Sequence, residues 1–299
     1  MGGVIDAIDR ARRERGSALM GVLNVTPDSF FDGGRYTTVP TAEARVRSLL
    51  AAGADLIDIG AESSRPGATP VGAAEQIRRL EPALRLARSL GVWISVDTTS
   101  PCVAERALAL GAHVVNDVSC LADPDLAAVT ARAGAALVVM HTRGPLGSMA
   151  GFSEYPADGY RDVVAEVIEE WRDARDRATR AGMPVDRVLF DPGLGFAKNA
   201  AQSFELLRRL PELVATGARV VLGPGRKSFI AAVDGSAPED RLGGTIAASL
   251  LAADRGVSVL RVHDVAVVRQ ALEVARAAAL PGAGPGRTAR PGVEEAPDA

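Results

Sequence analysis

Residues 93–118, WISVDTTSPCVAERALALGAHVVNDV, contain one full repeat of the pattern that decides the fold. A short apolar run, 93–97, ends in an acidic residue. A run of helical periodicity, 101–110, then begins with proline and is followed by Gly111, and both residues are typical of helix ends. A second apolar run covers 113–118. The segment therefore predicts a strand, a helix and a second strand.

The same pattern recurs along the chain, where eight apolar, β-branched runs alternate with eight runs of helical periodicity. The predicted strands cover 18–25, 55–60, 93–97, 113–118, 136–141, 187–191, 219–222 and 257–262. The predicted helices cover 41–52, 72–90, 101–110, 124–133, 159–181, 201–210, 239–253 and 264–279. Eight strand–helix units predict an α/β fold, a single-domain (β/α)8 TIM barrel, for which about 250 residues is typical. A doubly wound parallel sheet is the alternative, although it rarely needs eight regular units.

The pattern divides the chain into three segments. Residues 1–17 are charged and helical in pattern, and we expect an N-terminal extension or helix. Residues 18–280 form the predicted barrel domain. Residues 281–299, PGAGPGRTARPGVEEAPDA, are rich in glycine and proline and predict a disordered C-terminal tail.

Composition excludes several classes of protein. The 34 basic and 37 acidic residues give a formal net charge of −3, which favours neither nucleic acid nor an anionic membrane as a partner. No apolar run is long enough to span a membrane. Cys102 and Cys120 form no CxxC pair, and we expect two free thiols. Because the N-terminus also lacks the apolar core of a signal peptide, we expect a cytoplasmic protein. That location argues against glycosylation of Asn24, although Asn24-Val25-Thr26 fits the acceptor pattern.

Polar residues interrupt the predicted strands at one end. The interruptions are Asn24, the segment 58–67 (DIGAESSRPG), Asp97-Thr98, Asn116-Asp117, His141-Thr142-Arg143, Asp191-Pro192-Gly193, the segment 223–228 (GPGRKS) and the segment 261–264 (RVHD). All eight lie at C-terminal strand ends, which is the face of a (β/α)8 barrel that holds the active site. The set therefore predicts a site on that face.

One group of these residues is acidic or uncharged. Asp97, Asn116 and Asp191 lie beside Lys227 in the predicted barrel. Two carboxylates and an amide suit a flat ligand edge rich in N–H donors, such as a 2-amino-pyrimidinone. Paired carboxylates could also act as a general acid and base or hold a metal, and any single Asp at a strand end could cap a helix.

A second group is basic. Arg65, Arg261 and His263 lie with Asn24 near predicted helix N-termini, a combination that favours phosphate or pyrophosphate. His263 alone could be a core histidine, but Arg261 two residues earlier points to the same strand face. His113, at the opposite end of its strand, is interpreted as structural. The GPGRKS segment lacks the contiguous Gly-Lys-Ser of a P-loop, and the three histidines match no zinc motif.

The residues at the strand ends closely resemble the dihydropteroate synthase family. The matching stretches are 20–34 (MGVLNVTPDSFFDGG), 53–68 (GADLIDIGAESSRPGA), 94–98 (ISVDT), 111–119 (GAHVVNDVS), 138–144 (VVMHTRG), 191–199 (DPGLGFAKN), 225–230 (GRKSFI) and 261–265 (RVHDV). They occur in the family's order, and the resemblance as a whole covers about residues 18–275. The loops NVTPDSF and ESSRPG are the most specific part of this resemblance.

The resemblance implies an activity and its participants. It implies a transferase that joins 6-hydroxymethyl-7,8-dihydropterin pyrophosphate to p-aminobenzoate, giving 7,8-dihydropteroate and pyrophosphate for folate biosynthesis. It further implies a TIM barrel, Mg²⁺ as cofactor, a homodimer and sensitivity to sulfonamides. Loss of pyrophosphate would precede attack by the arylamine on a pterin-methyl cation.

The resemblance also implies roles for individual residues. The matched pterin positions are Asp97, Asn116, Met140, Asp191, Phe196, Lys227 and Arg261. The matched pyrophosphate positions are Asn24, Arg65, Arg261 and His263, with Asn24 as the metal ligand. The matched p-aminobenzoate positions are Ser64, Arg65, Pro66, Phe196, Lys227 and Ser228. The catalytic residues implied are Lys227, Asp191, Arg261, His263 and Asp97. Met140 could instead be ordinary core.

Some residues depart from the usual family pattern. They are Ala61, Ser64, Cys120, Thr142 and the pair Pro224-Gly225 before Arg-Lys. None removes a catalytic group, but the last could alter the seating of Lys227. Two other functions remain open at this point: a pterin-binding barrel that transfers a methyl group to a corrinoid partner, and a non-catalytic paralogue. We also expect the glycine-rich loop 26–34 to close over the site, with Phe30-Phe31 covering the arylamine.

Overall fold

The computed structural model describes residues 2–25, 39–62, 69–145, 147 and 149–279. Within these ranges the chain forms eight short strands, all buried. They are β1 Ala18–Asn24, β2 Leu56–Gly60, β3 Trp93–Asp97, β4 Val114–Asp117, β5 Ala136–Met140, β6 Val188–Asp191, β7 Val221–Leu222 and β8 Val259–Val262. Each lies inside the range that the sequence predicts.

The strands form one parallel sheet that closes on itself. Its order is β6-β5-β4-β3-β2-β1-β8-β7, so each strand lies beside its neighbours in sequence. A parallel bridge between Phe190 and Val220 joins β6 to β7 and completes the ring. The (β/α)8 barrel is therefore confirmed, because a doubly wound sheet would reverse its strand order around a central strand.

Helices surround the barrel. They are α1 Val4–Arg15, α2 Val39–Ala51, α3 Ala73–Ser89, α4 Pro101–Ala109, α5 Asp125–Arg132, α6 Val163–Arg180, α7 Ala200–Arg208, α8 Leu210–Val214, α9 Ser228–Asp234, α10 Leu242–Asp254 and α11 Val265–Ala279. Trp171 on α6 stacks on Phe190 of β6 with ring centroids 4.4 Å apart, which illustrates the apolar layer between helices and barrel. No helix in the described ranges is long and apolar enough to cross a membrane.

Two helix boundaries differ from the prediction for identifiable reasons. Helix α6 begins four residues later than expected, at Val163, because the Asp162 carboxylate accepts hydrogen bonds from the amides of Val164 and Ala165 at its start. The predicted helix 201–210 ends at Arg208, and α8 follows with Pro211 near its start. Proline has no amide N–H and cannot continue the bonding of the preceding helix. Helix α9 was not predicted.

Helix α1 closes the N-terminal end of the barrel. Val4, Ile8 and Ala11 are buried on one face of the helix. They pack in one apolar cluster with strand residues from the same end, namely Ala18, Met20, Leu56, Val114, Ala136, Val138, Leu189, Val221 and Val259. The N-terminal segment is therefore a helix that packs against the barrel.

Candidate active site

Four neighbouring strands present one row of residues at the C-terminal end of the barrel. Gly60 on β2 pairs with Asn24 on β1 and with Asp97 on β3. Asp97 pairs in turn with Asn116 on β4. A Cβ atom on Gly60 would lie 3.3 Å from the Asp97 Cβ and 3.6 Å from Asn24 Oδ1. Glycine therefore keeps the space between Asn24 and Asp97 open.

Arg261 lies between two carboxylates below this row. Its Nε donates to Asp58 Oδ2 at 2.6 Å, and its Nη2 donates to Asp97 Oδ2 at 2.8 Å. Asn116 Nδ2 donates to the same Asp58 oxygen at 3.1 Å. We refer to Asp58, Asp97, Asn116 and Arg261 as the carboxylate–arginine cluster. The sequence grouped Arg261 with the anion-binding cations, whereas the structure places its guanidinium among the acidic residues.

Burial controls the protonation of this cluster. It raises the pKa of Asp97, an effect that Arg261 opposes and that Asp58 reinforces. Burial lowers the pKa of Arg261, but Asp58 and Asp97 outweigh it, and the net shift is upward. Arg261 therefore stays charged, while Asp97 is nearer to protonation than an exposed carboxylate.

Asp191 and Lys227 form the second polar part of the site. Asp191 is buried at the end of β6, where one carboxylate oxygen accepts the Gly193 amide at 2.7 Å. Lys227 Nζ donates to the Leu194 carbonyl at 2.8 Å. Burial lowers the pKa of Lys227 to about 8, with Asp191 opposing and Arg261 adding to the shift. Burial raises the pKa of Asp191, and Lys227 is the strongest opposing group. Each charge thus stabilises the ionised form of the other residue.

An apolar wall stands beside these charges. Met140, Val118 and Phe196 form a buried cluster. The Phe196 ring meets Phe152 edge to face at 5.1 Å and lies 4.6 Å from Lys227 Nζ. Met140 therefore lies in the same apolar cluster as Phe196, and its contact with a pterin stays a prediction. An apolar face next to buried carboxylate, amide and ammonium groups suits a flat, polar-edged heterocycle.

Ser228 lies at the rim. Its hydroxyl is 2.8 Å from the Ser153 hydroxyl, and the Ser153 amide donates to the Gly195 carbonyl at 3.1 Å. The connection between β5 and α6 therefore contacts both the β6 loop and the start of α9.

Comparisons with known proteins agree with this geometry. A family model described as "Pterin binding enzyme" matches residues 20–263. The dihydropteroate synthase of Synechocystis sp. is 40% identical over 262 residues, covering 87% of this chain and 89% of that protein. The chain belongs to the dihydropteroate synthase family. It is therefore an enzyme of the transferase class.

Two further relatives define the extent of the match. A probable bifunctional folylpolyglutamate synthase/dihydropteroate synthase of Haloferax volcanii is 41% identical over 271 residues, and this chain spans only 31% of its length. A solved structure of Xanthomonas albilineans dihydropteroate synthase with 4-aminobenzoic acid matches with a TM-score of 0.80 and 43% identity. It covers 89% of this chain and 94% of that chain. Membership of the dihydropteroate synthase family thus rests on sequence and on fold.

His263 follows β8 at the edge of the site. Burial lowers its pKa to about 4, and the cationic groups of Arg261 and Arg45 add to the shift. The ring is therefore neutral near pH 7. A neutral imidazole can donate one hydrogen bond, and the role of His263 on the pyrophosphate stays a prediction. A Cβ atom on Gly225 would lie 3.7 Å from the His263 ring, so Gly225 leaves room beside it.

Several predicted site residues lie outside the described residues. They are Ser64, Arg65 and Pro66, together with Phe30 and Phe31. Their roles remain predictions from the resemblance to dihydropteroate synthases.

Asn24 fits the manner in which magnesium binds. No group of three or more His, Cys, Asp or Glu in the described ranges is placed to hold a metal ion. Mg²⁺, however, usually binds through one or two protein oxygens together with substrate phosphates and waters. The Asn24 amide, half-buried beside the open space at Gly60, offers one such oxygen.

Sequence reasoning gave no role to Asp58, Ser153 or the pair His141 and Lys198. Asp58 has a visible signal, because it is a charged residue inside the apolar strand LIDIG. His141 and Lys198 also stood in matched stretches, but nothing in their spacing indicated that they meet. The interpretation of His113 as structural is supported, since its Nδ1 accepts the Ile94 amide at 3.1 Å and its ring packs against Trp93.

Proposed function

We propose that this enzyme joins 6-hydroxymethyl-7,8-dihydropterin pyrophosphate to p-aminobenzoate, releasing pyrophosphate and 7,8-dihydropteroate. The observation that carries the proposal is the placement of Lys227, which lies between the Leu194 carbonyl and the face of Phe196 and supports buried Asp191. These groups offer a carboxylate, an ammonium and an aromatic face at one point.

The pterin would bind in the buried part of the site. Asp191 would accept hydrogen bonds from the N–H edge of its pyrimidine ring, and Asn116 would hold the same edge. Met140 and Phe196 would contact the ring faces. Asp97, through its bond to Arg261, would support this edge from the barrel interior.

The pyrophosphate would lie toward the rim. Among the described residues, Arg261 uses Nε and Nη2 on the two carboxylates, which leaves Nη1 for an anionic oxygen. His263 would donate one hydrogen bond, and Arg65 would add a second guanidinium. These donors would stabilise the charge that develops on the leaving group.

The reaction requires no covalent enzyme intermediate. The bond between the pterin methylene carbon and the pyrophosphate oxygen breaks, and the oxygen keeps the electron pair. The pterin ring delocalises the positive charge on the methylene carbon. The amine nitrogen of p-aminobenzoate then forms the new C–N bond and loses a proton. Closure of the site would protect the cation from water.

The p-aminobenzoate would bind against Phe196 at the rim. Lys227 lies over the Phe196 ring, and the neighbouring Ser228 hydroxyl lies at the rim beside Ser153. These two groups would contact the carboxylate of p-aminobenzoate. Ser64, Arg65 and Pro66 would complete this part of the site. We expect sulfonamides to compete for the same position.

Mg²⁺ is the proposed cofactor. Asn24 would hold it through the side-chain amide oxygen, together with pyrophosphate oxygens and waters. When bound, the ion would neutralise negative charge on the pyrophosphate. Loss of activity in excess chelator, with recovery on adding Mg²⁺, would test this cofactor.

The decisive experiment measures both products of the purified enzyme. Dihydropterin pyrophosphate and Mg²⁺ are supplied with and without p-aminobenzoate, and pyrophosphate and dihydropteroate are quantified. We expect release of pyrophosphate that depends on p-aminobenzoate, with dihydropteroate in equal amount. Binding of the pterin substrate with neither product would instead support a non-catalytic paralogue.

The corrinoid-linked methyl transfer is less well supported. Such a barrel would share Asp191 and Asn116, but it has no need for Lys227 against an arylamine-sized aromatic face. A methylated pterin as substrate would test it directly.

We also propose a cytoplasmic homodimer. Three neighbouring helices expose large apolar side chains, namely Phe204 on α7, Leu251 on α10 and Val274 on α11, which are 37%, 44% and 64% exposed. Sedimentation equilibrium would test the dimer, and Leu251→Glu should shift it toward monomer.

A further inference from the structure

The composition of the chain singles out one residue that the mechanism does not use. The chain has 34 basic residues, yet only two of them are lysines, Lys198 and Lys227. Everywhere else arginine supplies the positive charge. Both lysines lie on loops at the C-terminal end of the barrel, and Lys227 belongs to the site already described. Lysine differs from arginine in having a compact ammonium with three freely rotating donors. Lys198 therefore calls for a physical explanation.

Lys198 is fully buried, and its ammonium is fully bonded. Its exposed fraction is 0%. Nζ lies 2.9 Å from His141 Nδ1, 2.9 Å from the Phe196 carbonyl and 3.3 Å from the His141 carbonyl. A charged group is buried in this way only when its donors are satisfied. Lys198 has no access to a bound substrate, so it is not a catalytic residue.

His141 connects Lys198 to helix α6 through hydrogen bonds at both ring nitrogens. Burial lowers its pKa to about 4, and Lys198 adds to the shift, so the ring is neutral near pH 7. Nδ1 then accepts from Lys198, and Nε2 donates to Glu170 Oε2 at 3.0 Å. Arg143 in turn donates from Nε to Glu170 at 3.0 Å. A continuous polar chain thus runs from the loop after β6 to α6.

The loop held by Lys198 has a conformation that needs support. Gly193, Gly195 and Ala197 all have positive φ, at 67°, 77° and 45°. Alanine rarely adopts this region, because its Cβ atom crowds the following carbonyl oxygen. A Cβ atom on Gly193 would lie 2.1 Å from the His141 carbonyl, so the loop wraps directly against His141. Hydrogen bonds from Lys198 Nζ to the carbonyls of Phe196 and His141 hold the loop in this position.

The same loop carries groups that meet the substrates. Asp191 begins it, the Leu194 carbonyl binds Lys227, and the Phe196 ring lies under the Lys227 ammonium. A shift of the loop would therefore move the carboxylate, the aromatic wall and the ammonium together.

We propose that Lys198, His141 and Glu170 form a brace, buried at Lys198 and His141, that positions the 191–198 loop, and with it Asp191 and Phe196, for catalysis. This inference rests on the proposed function, and Lys198 acts in it as a positioning residue. The brace places a third cation near Asp191, after Lys227 and Arg261, and so also helps to keep that carboxylate ionised.

The test exchanges Lys198 for methionine, which has similar length and no charge. Methionine cannot donate a hydrogen bond, so the substitution leaves His141 Nδ1 and the Phe196 carbonyl without their buried donor, which lowers stability. We therefore expect Lys198→Met to melt below the wild-type temperature and, at a temperature where both proteins are fully folded, to lose about tenfold or more in kcat/KM for dihydropterin pyrophosphate. We also expect the acid limb of its pH profile to move to higher pH, because Asp191 loses one neighbouring cation.

Two controls separate positioning from general stability. Ile8→Ala on α1 removes buried apolar atoms far from the loop and should lower the melting temperature without reducing kcat/KM. His141→Asn keeps an acceptor near the Nδ1 position and should retain more activity than His141→Leu. Unchanged kcat/KM in Lys198→Met would overturn the brace. So would a loss that only follows the melting temperature.

A spectroscopic measurement tests the brace independently of turnover. Protein labelled with [ε-¹³C]lysine gives two lysine signals, which Lys198→Met assigns. Burial lowers the pKa of Lys198 to about 7, with Asp191, Cys120 and Glu170 opposing and Lys227 adding to the shift. We expect its signal to titrate far below the ordinary value of about 10.4. Titration at the ordinary value would contradict the buried brace, whereas a wild-type enzyme that forms no dihydropteroate would contradict only the proposed function.

Discussion

The two ends of the barrel are closed by side chains of the same eight strands, but with opposite chemistry. At the N-terminal end, Val4, Ile8 and Ala11 of α1 complete an apolar cluster. At the C-terminal end, buried Asp58 and half-buried Arg261 form an ion pair beside polar loops. Burial of apolar side chains at the N-terminal end stabilises the fold. Desolvation of the charged groups at the C-terminal end opposes that stabilisation. Residues that stabilise the fold and residues that bind substrates are therefore separated along the strand direction.

The strongest test of this separation is Asp191→Ala at the polar end. Loss of the carboxylate should lower kcat/KM for dihydropterin pyrophosphate by about 10² to 10³, the range for removing one preorganised electrostatic group. The melting temperature should change little, because removing the buried carboxylate also removes the free-energy cost of its desolvation. Steady-state kinetics and circular-dichroism melting would check both outcomes. A large fall in melting temperature would show that Asp191 also maintains the fold.

The matching test at the apolar end is Ile8→Ala. Ile8 is completely buried, and truncation to alanine should cost about 2 to 5 kcal/mol of unfolding free energy. Chemical denaturation would measure this loss. Turnover at a temperature where the variant is folded should equal that of wild type. Reduced turnover would show that α1 is coupled to the site and that the two ends of the barrel are not independent.

A smaller effect is expected for Lys227→Ala. The substitution removes the ammonium that binds Leu194 and faces Phe196, and we expect turnover to fall about tenfold or more. The melting curve should stay close to that of wild type. Near-wild-type turnover would refute the role given to Lys227.

The smallest effect is a pH dependence that Lys227 confers. Its pKa is about 8, so the ammonium loses its proton as the pH rises through that value. The profile of kcat/KM reports groups of the free enzyme, and it should fall above pH 8 if the charged form is the active one. Lys227→Arg stays protonated and should lack this basic limb. A basic limb that is the same in both proteins would assign it to another group.

The sequence predicted the barrel well for a physical reason. Buried parallel strands read as short apolar runs, and capped helices carry proline and glycine at their ends. Helix α9 was not predicted, because Ser228–Asp234 is only two turns long and its residues also fit a loop. The prediction of the site was less complete. Asn24, Asp97, Asn116 and Asp191 stood out as polar ends of apolar runs, whereas Asp58 lay within a run and was given no role.

The strand–helix order, the polar C-terminal face and the family could all be predicted from the amino-acid sequence. These follow from patterns along the chain, where neighbouring residues carry the signal. Only the tertiary structure decided which side chains meet. Arg261 lies between Asp58 and Asp97, and Lys198 is bonded to His141, because strand register and loop wrapping bring together residues that are 57 to 203 positions apart. Burial is also a property of the folded chain, and it sets the protonation of Lys227, His263 and Asp97.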